Sequence, residues 1–343
     1  MMKKTFRKND KGYMYRLIIL FVLIIAMASG CKKDGKEIVS DLQETSSDNN
    51  VSKLSEPGKK HFAINVDGDI REYYVHIPAG YDGSTAFPVV FMLHGSGGNG
   101  LKFYNISGWV EEGEKENIIT IFPSSWKYDC VVDDGIEKHN AEKWNSYDLV
   151  VCNNNKKRND VKFLSSIIEK LKQKFAVDTN RIYMVGFSNG GEMAARCAIE
   201  LSNKLAAVVS CAGALPPNFN ATPKRLLPVL LQMGSADAKL MAKAGSPTPF
   251  PMDIPLVIST YPTIQNVINA YINCFALQPT YTGPIGNVNK YLTVTYPGIS
   301  GMPENIFSFV EVKDLTHQYP NGKNHPLKGA EVHWNWMKNF TLN

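Results

Sequence analysis

The chain has 343 residues, with 37 Lys and Arg against 32 Asp and Glu and a formal charge of +5. That excess is confined to the N-terminus: residues 1–31 hold six basic residues and one acidic one, which leaves 31 of each beyond. A neutral remainder gives no electrostatic case for nucleic-acid binding, and its length suits one large α/β domain rather than a small binding module.

In chain order, the first element is a basic stretch over 1–16 followed by an unbroken apolar run over 17–27, too short for a comfortable membrane-spanning helix. Ala28-Ser29-Gly30-Cys31 follows and resembles a bacterial lipobox, in which the cysteine is lipidated. Residues 1–31 are therefore expected to be a lipoprotein-type signal peptide, and the protein to work outside the cytoplasm, held to a bacterial membrane through Cys31. Residues 32–60 are polar and poor in large apolar side chains, as expected of a flexible linker. A single catalytic domain is expected over 61–343.

That domain opens with two alternating runs, 61–66 and 70–77, around an Asp67-Gly68 turn signal, the pattern of an antiparallel hairpin. Apolar strand candidates follow at 89–93, 118–122, 182–185, 206–209, 229–233 and 307–312. Helical spacing appears between them over 160–175, 192–201 and 264–271, and a terminal helix is expected over 326–340 with Pro326 in its first turn. Alternating strands and helices predict an α/β fold: a mostly parallel central sheet covered by helices on both faces. Ligands of such sheets sit at the carboxyl ends of the strands.

The residues with chemistry lie there. Gly186-Phe187-Ser188-Asn189-Gly190 reads GxSxG between a β-branched strand and a small-residue helix, the setting of a nucleophile elbow. Ser188 is the candidate nucleophile. His94-Gly95-Ser96-Gly97-Gly98-Asn99-Gly100 leaves a central strand without the lysine of a phosphate-binding loop, so it reads as half of an oxyanion hole. The expected donors are the N–H groups of Ser96 and Asn189, with His94 structural. A serine needs a base and the base needs a carboxylate, in the chain order serine, acid, histidine. His317, a few residues past a strand, is preferred over His325 and His333. Asp237, just past the strand at 229–233, is preferred over Asp253 and Asp314.

Excluding Cys31, five cysteines remain. Cys197 and Cys211 read as small buried hydrophobes, and Cys130 and Cys152 are candidates to pair outside the cytoplasm. No Cys and His cluster has zinc spacing, the oxygen-rich Asp133-Asp134 and Asn153-Asn154-Asn155 read as ordinary polar loops, and no cofactor is called for.

HGSGGNG, the Asp160-Val161 helix start, GFSNGG, CAGALP at 211–216 and GSAD at 234–237 occur together in that order. Over about 71–340 this resembles the polyhydroxybutyrate depolymerase and feruloyl esterase group of α/β-hydrolases. Trp144-Asn145 and Asn273-Cys274 resemble further motifs of the group. The resemblance implies a triad of Ser188, Asp237 and His317, with Tyr319-Pro320 in place of a Trp-Pro. It implies a serine esterase, and among its substrates feruloyl or acetyl esters on plant polysaccharide fragments are preferred over polyhydroxyalkanoates. Trp126, Trp144 and Tyr319 are candidate substrate-binding residues, the tryptophans as walls of a long loop over 127–143; inward-packed aromatics are the alternative. Acyl transfer, peptidase activity and a non-catalytic glycan-binding role remain open at this point.

Overall fold

A computed structural model of the chain describes residues 56–131, 137–147, 152, 157–299 and 304–342. The expected signal peptide, Cys31, most of the expected linker, Asp133-Asp134 and Asn153-Asn154-Asn155 lie outside them.

The first half runs β1 (Gly58–Val66), β2 (Asp69–Ile77), β3 (Phe87–Leu93), α1 (Gly100–Ile106), α2 (Trp109–Glu116), β4 (Ile119–Pro123), β5 (Trp126–Val131), β6 (Glu137–Lys143), α3 (Asp160–Lys174) and β7 (Val177–Phe187). The second runs α4 (Asn189–Glu200), β8 (Ala207–Cys211), β9 (Val229–Gly234), α5 (Ala238–Ala244), α6 (Ile254–Thr260), α7 (Pro262–Cys274), β10 (Thr282–Asn287), β11 (Tyr291–Pro297), β12 (Ile306–Val312) and α8 (Gly329–Met337).

Ten strands form one sheet in the order β1-β2-β4-β3-β7-β8-β9-β12-β11-β10. Its centre, from β4 to β12, is parallel. An antiparallel hairpin closes each edge. The central strands are apolar on both faces because helices cover both. Phe163, Leu164 and Ile168 of α3, Met193 and Ala194 of α4 and Ile264, Ile268 and Tyr271 of α7 pack on one face. Phe103 of α1, Trp109 of α2 and Trp334 and Met337 of α8 pack on the other.

Four features differ from the sequence expectation. β1 starts at Gly58, three residues before the expected strand, because it continues outward to pair with Ile77. Residues 127–143 are largely a two-stranded hairpin of β5 and β6 rather than a loop. The β10–β11 edge was not expected either, since β10 is exposed along its whole length and shows no apolar period. The last helix begins at Gly329 rather than near Pro326, after an irregular turn in which Gly322 N–H donates to the Leu327 carbonyl.

Candidate active site

β7 ends at Phe187, and the chain turns sharply through Ser188 into α4. Ser188 has φ 53° and ψ −124°, a conformation that costs a non-glycine residue about 1–3 kcal/mol and persists only where its surroundings impose it. They do so here: Ser188 N–H donates to the Cys211 carbonyl of β8 at 2.8 Å, and its carbonyl accepts from Glu192 N–H at 2.9 Å. A Cβ on Gly186 would collide with the Gly190 carbonyl, and one on Gly190 with the His94 carbonyl. The elbow therefore requires glycine at both positions and sits directly against the loop after β3.

The sheet order brings the other two groups to this rim. β9 and β12 are parallel neighbours, with Gly234 opposite Val312. The loops that leave them are laced together: Ser235 N–H donates to the Val312 carbonyl, Ala236 N–H to the Leu315 carbonyl and Asp314 N–H to Ser235 Oγ. Asp237 follows the first loop and His317 the second. Ser188 Oγ lies 2.9 Å from His317 Nε2, and His317 Nδ1 lies 2.8 Å from Asp237 Oδ2. Nδ1–H donates to the carboxylate, which leaves Nε2 free to accept the serine proton. Asp237 also caps α5, its Oδ1 accepting from Lys239 N–H at 3.0 Å and Leu240 N–H at 3.2 Å. Burial is the largest single influence on Asp237 and opposes its charge. The His317 imidazole and the two backbone donors together outweigh it and hold the carboxyl below the usual range.

The rival residues have other work. His325 Nε2–H donates to the Lys313 carbonyl, and its Nδ1 accepts from Leu327 N–H. Asp253 caps α6. Asp314 stands in a left-handed turn. His333 is buried between Tyr319 and Gln232, and burial pushes it down to about 3. His94 is structural in the same sense: Nδ1–H donates to the Gly95 carbonyl at 2.8 Å, Nε2 accepts from Ser125 N–H at 3.0 Å, and burial pushes it down to about 4.

Ser96 and Asn189 flank the serine on the loop and elbow. A Cβ on Gly95 would lie 3.1 Å from Ser188 Cβ, which measures how closely the loop approaches. Among the described residues neither backbone N–H donates to a protein acceptor. Both are available to an oxyanion, and Asn189 opens α4, whose dipole favours negative charge there.

The expected substrate-binding aromatics are placed differently. Trp144 is fully buried, with Nε1–H donating to the His94 carbonyl at 2.8 Å. Trp126 packs under the Arg158 guanidinium, 4.2 Å from the ring centre. Trp144 is thus core and walls no cleft, whereas Trp126 is half-buried and packs beside Tyr128 and Cys130 of its own hairpin. Tyr319 does line a cavity beside His317, but its hydroxyl turns inward to Trp109 Nε1 and His333 Nδ1. That cavity, of about 150 Å³, is walled by Phe103, Ile106 and Phe187 and rimmed by Lys102, Gln318 and Asn321. Lys102 and Gln318 carried no recognisable motif, and only the placement of α1 beside the 317–324 loop reveals them. Among the described residues no cluster of His, Cys, Asp and Glu is arranged to hold a metal ion. Cys130 and Cys152 form a disulfide, and Cys197, Cys211 and Cys274 are free and buried.

The solved structure of an acetyl xylan esterase from Aspergillus awamori superposes with a TM-score of 0.51 at 12% identity, over 81% of this chain and 99% of that one. This chain has the α/β-hydrolase fold. A family described as phospholipase/carboxylesterase matches residues 81–245, the span from before the Gly-rich loop to beyond Asp237. A putative esterase, NocK, from Nocardia uniformis subsp. tsuyamanensis is 29% identical over 50% of the chain and 46% of its own length. Feruloyl esterase B from Piromyces equi is 24% identical over 79% of the chain and 46% of its own length. The chain thus spans about half the length of these curated relatives. Within the α/β-hydrolase fold its likeness is to the feruloyl esterase-like group.

Proposed function

We propose that this α/β-hydrolase is a serine ester hydrolase that acts on acyl groups carried by carbohydrate alcohols, as feruloyl or acetyl esters. The observation that carries the reaction type is the continuous hydrogen-bonded line from Ser188 Oγ through His317 to Asp237, set at an elbow with two backbone donors beside it. Ser188 Oγ attacks the ester carbonyl while His317 Nε2 takes its proton. Asp237 holds the imidazole in the required tautomer and stabilises the imidazolium. The N–H groups of Ser96 and Asn189 hold the negative oxygen. Collapse expels the alcohol, which takes the proton from His317. Water, deprotonated by the same nitrogen, then attacks the acyl-enzyme, and the acid leaves as Ser188 recovers its proton.

Because the leaving alcohol is protonated by His317, it departs on the side of that ring. The cavity there is lined by the apolar rings of Phe103 and Phe187 and by the polar side chains of Lys102 and Gln318. A lining of apolar rings and hydrogen-bonding groups suits a sugar, and the relatives named as feruloyl esterases support the same preference.

The test is direct. A fluorophosphonate probe should label the wild type and not Ser188→Ala, and p-nitrophenyl acetate hydrolysis should vanish with the label. Methyl ferulate, acetylated xylooligosaccharide and hydroxybutyrate oligomers, assayed side by side, address the substrate; a kcat/KM highest on hydroxybutyrate oligomers would overturn the carbohydrate preference. We further propose that the enzyme is held outside the cytoplasm through lipid on Cys31. The Cys130–Cys152 disulfide fits an oxidising compartment. Metabolic labelling with a fatty acid should mark the wild type and not Cys31→Ala.

A further inference from the structure

The two oxyanion donors come from separate parts of the chain, Ser96 after β3 and Asn189 at the start of α4. A hole for one oxygen atom works only if the gap between them is fixed to within a few tenths of an ångström. Residues 142–146 touch both sides of that gap. Toward the loop, the Glu142 carbonyl accepts from Gly97 N–H at 2.8 Å, and Trp144 Nε1–H donates to the His94 carbonyl at 2.8 Å. Toward the elbow, Trp144 N–H donates to Asn189 Oδ1 at 2.6 Å. Asn189 Nδ2–H in turn donates to Ser146 Oγ at 2.9 Å and to the Trp144 carbonyl at 3.3 Å. Trp144, Ser146 and Asn189 are all buried, so water cannot stand in for a bond that is lost.

The segment is itself anchored. Asn145 N–H donates to Asp160 Oδ2 at 2.7 Å, and Asp160 Oδ1 is paired with buried Arg71 at 2.6 Å. On its N-terminal side it continues from the β5–β6 hairpin, to which the Cys130–Cys152 disulfide adds a covalent tie.

We propose that residues 142–146 are a clamp that sets the geometry of the oxyanion hole, with Trp144 as its central positioning residue. Trp144 touches neither substrate nor Ser188; it acts through His94 on one side and Asn189 on the other. The inference rests on the serine-esterase reading.

Trp144→Phe keeps most of the buried ring and removes the bond to the His94 carbonyl. Asn189→Ala keeps the backbone donor and cuts the clamp at the elbow. Deleting an oxyanion donor outright costs about 100-fold or more in kcat, and a displaced donor should cost less, about tenfold or more. Each variant should lose that much kcat per fluorophosphonate-titrated site on p-nitrophenyl acetate, with KM within about twofold of wild type. Affinity for a boronic acid, which forms a tetrahedral adduct, should fall in the same proportion. The double variant should lose less than the product of the two, because both cut one clamp. If either folded variant keeps wild-type kcat per titrated site and wild-type boronic acid affinity, Trp144 is ordinary core and the clamp is refuted. A wild type that neither hydrolyses esters nor labels would overturn the esterase reading and this assignment with it. A wild type that does both, matched by the variants, overturns the clamp alone.

Discussion

Glu311 is a carboxyl that the proposed reaction does not use and the fold does not satisfy. It lies in β12 between Met233 of β9 and Leu292 of β11, fully buried, and among the described residues neither of its oxygens has a hydrogen-bond partner. Burial, helped by the negative charge of Asp253 at the start of α6, pushes it up to about 8 from an ordinary 4.5. The sign follows from linkage. The folded state holds the proton to higher pH than the unfolded chain, so the stability associated with Glu311 is full below pH 4.5. It falls as pH rises from there and is lost once pH passes 8. At about 1.4 kcal/mol per pH unit the whole loss is about 5 kcal/mol, a large share of an ordinary domain's stability. Glu311→Gln has the shape of the protonated acid and no proton to lose. Urea unfolding of both chains from pH 4 to pH 9.5 should show equal stability at the acid end and a gap that widens through neutrality in favour of the variant. The gap should stop growing above about pH 8. Other groups titrate identically in the two chains, so the difference isolates Glu311. Parallel curves would refute the reasoning, because they would mean that the carboxylate is ionised and paired when the protein is folded.

Three further outcomes are expected. His317→Ala should abolish ester hydrolysis nearly as completely as Ser188→Ala, with Asp237→Asn somewhat milder, since triad members act as a unit; an Asp237→Asn enzyme within tenfold of wild-type kcat would remove the aspartate from the reaction. Tyr319→Phe should destabilise the domain by about 2 kcal/mol in urea unfolding, because it strands the Trp109 Nε1–H donor and the His333 Nδ1 acceptor in a buried hydrogen-bonded chain. Unchanged stability there would show that the hydroxyl is not holding the two partners. Lys102→Ala combined with Gln318→Ala should raise KM several-fold for an acetylated xylooligosaccharide and leave p-nitrophenyl acetate unaffected; equal effects on both substrates would place the alcohol elsewhere.

The parallel centre of the sheet was legible because each of its strands is a short apolar run buried on both faces, as in Phe87–Leu93 and Val229–Gly234. Asp237 and His317 could be found because both follow such a strand by a few residues. The hairpin of β5 and β6 was not legible. β6 reads EKHNAEK, mostly exposed, and its pairing is fixed by partner strand and disulfide rather than by an apolar face. The same holds for β10, whose TGPIGN contains two breakers and buries nothing. Trp144 misled for a related reason. An aromatic ring beside a polar stretch has one appearance whether it faces a ligand or the core, and only its indole N–H on the His94 carbonyl decides between them.

The site has two arms that reach Ser188 from different directions. The acid–base arm descends from β9 and β12 through Asp237 and His317, and it is backed by Tyr319 and His333 on the face covered by α2 and α8. The oxyanion arm comes from the β3 loop and α4, and it is tied by residues 142–146 to α3 through Asp160. In the first arm the groups proposed to move and steer the proton are set by strand ends, which the parallel register fixes. In the second the donors are backbone N–H groups, which carry no side-chain signature, so their spacing has to come from whatever grips the backbone. In this chain the proposed grip comes from a segment at the end of the separate β5–β6 hairpin, not from the central sheet. If the proposed reaction holds, changes in that hairpin should act on how well the tetrahedral oxygen is held, whereas changes in α1 and the loop after His317 should act on which alcohol can leave.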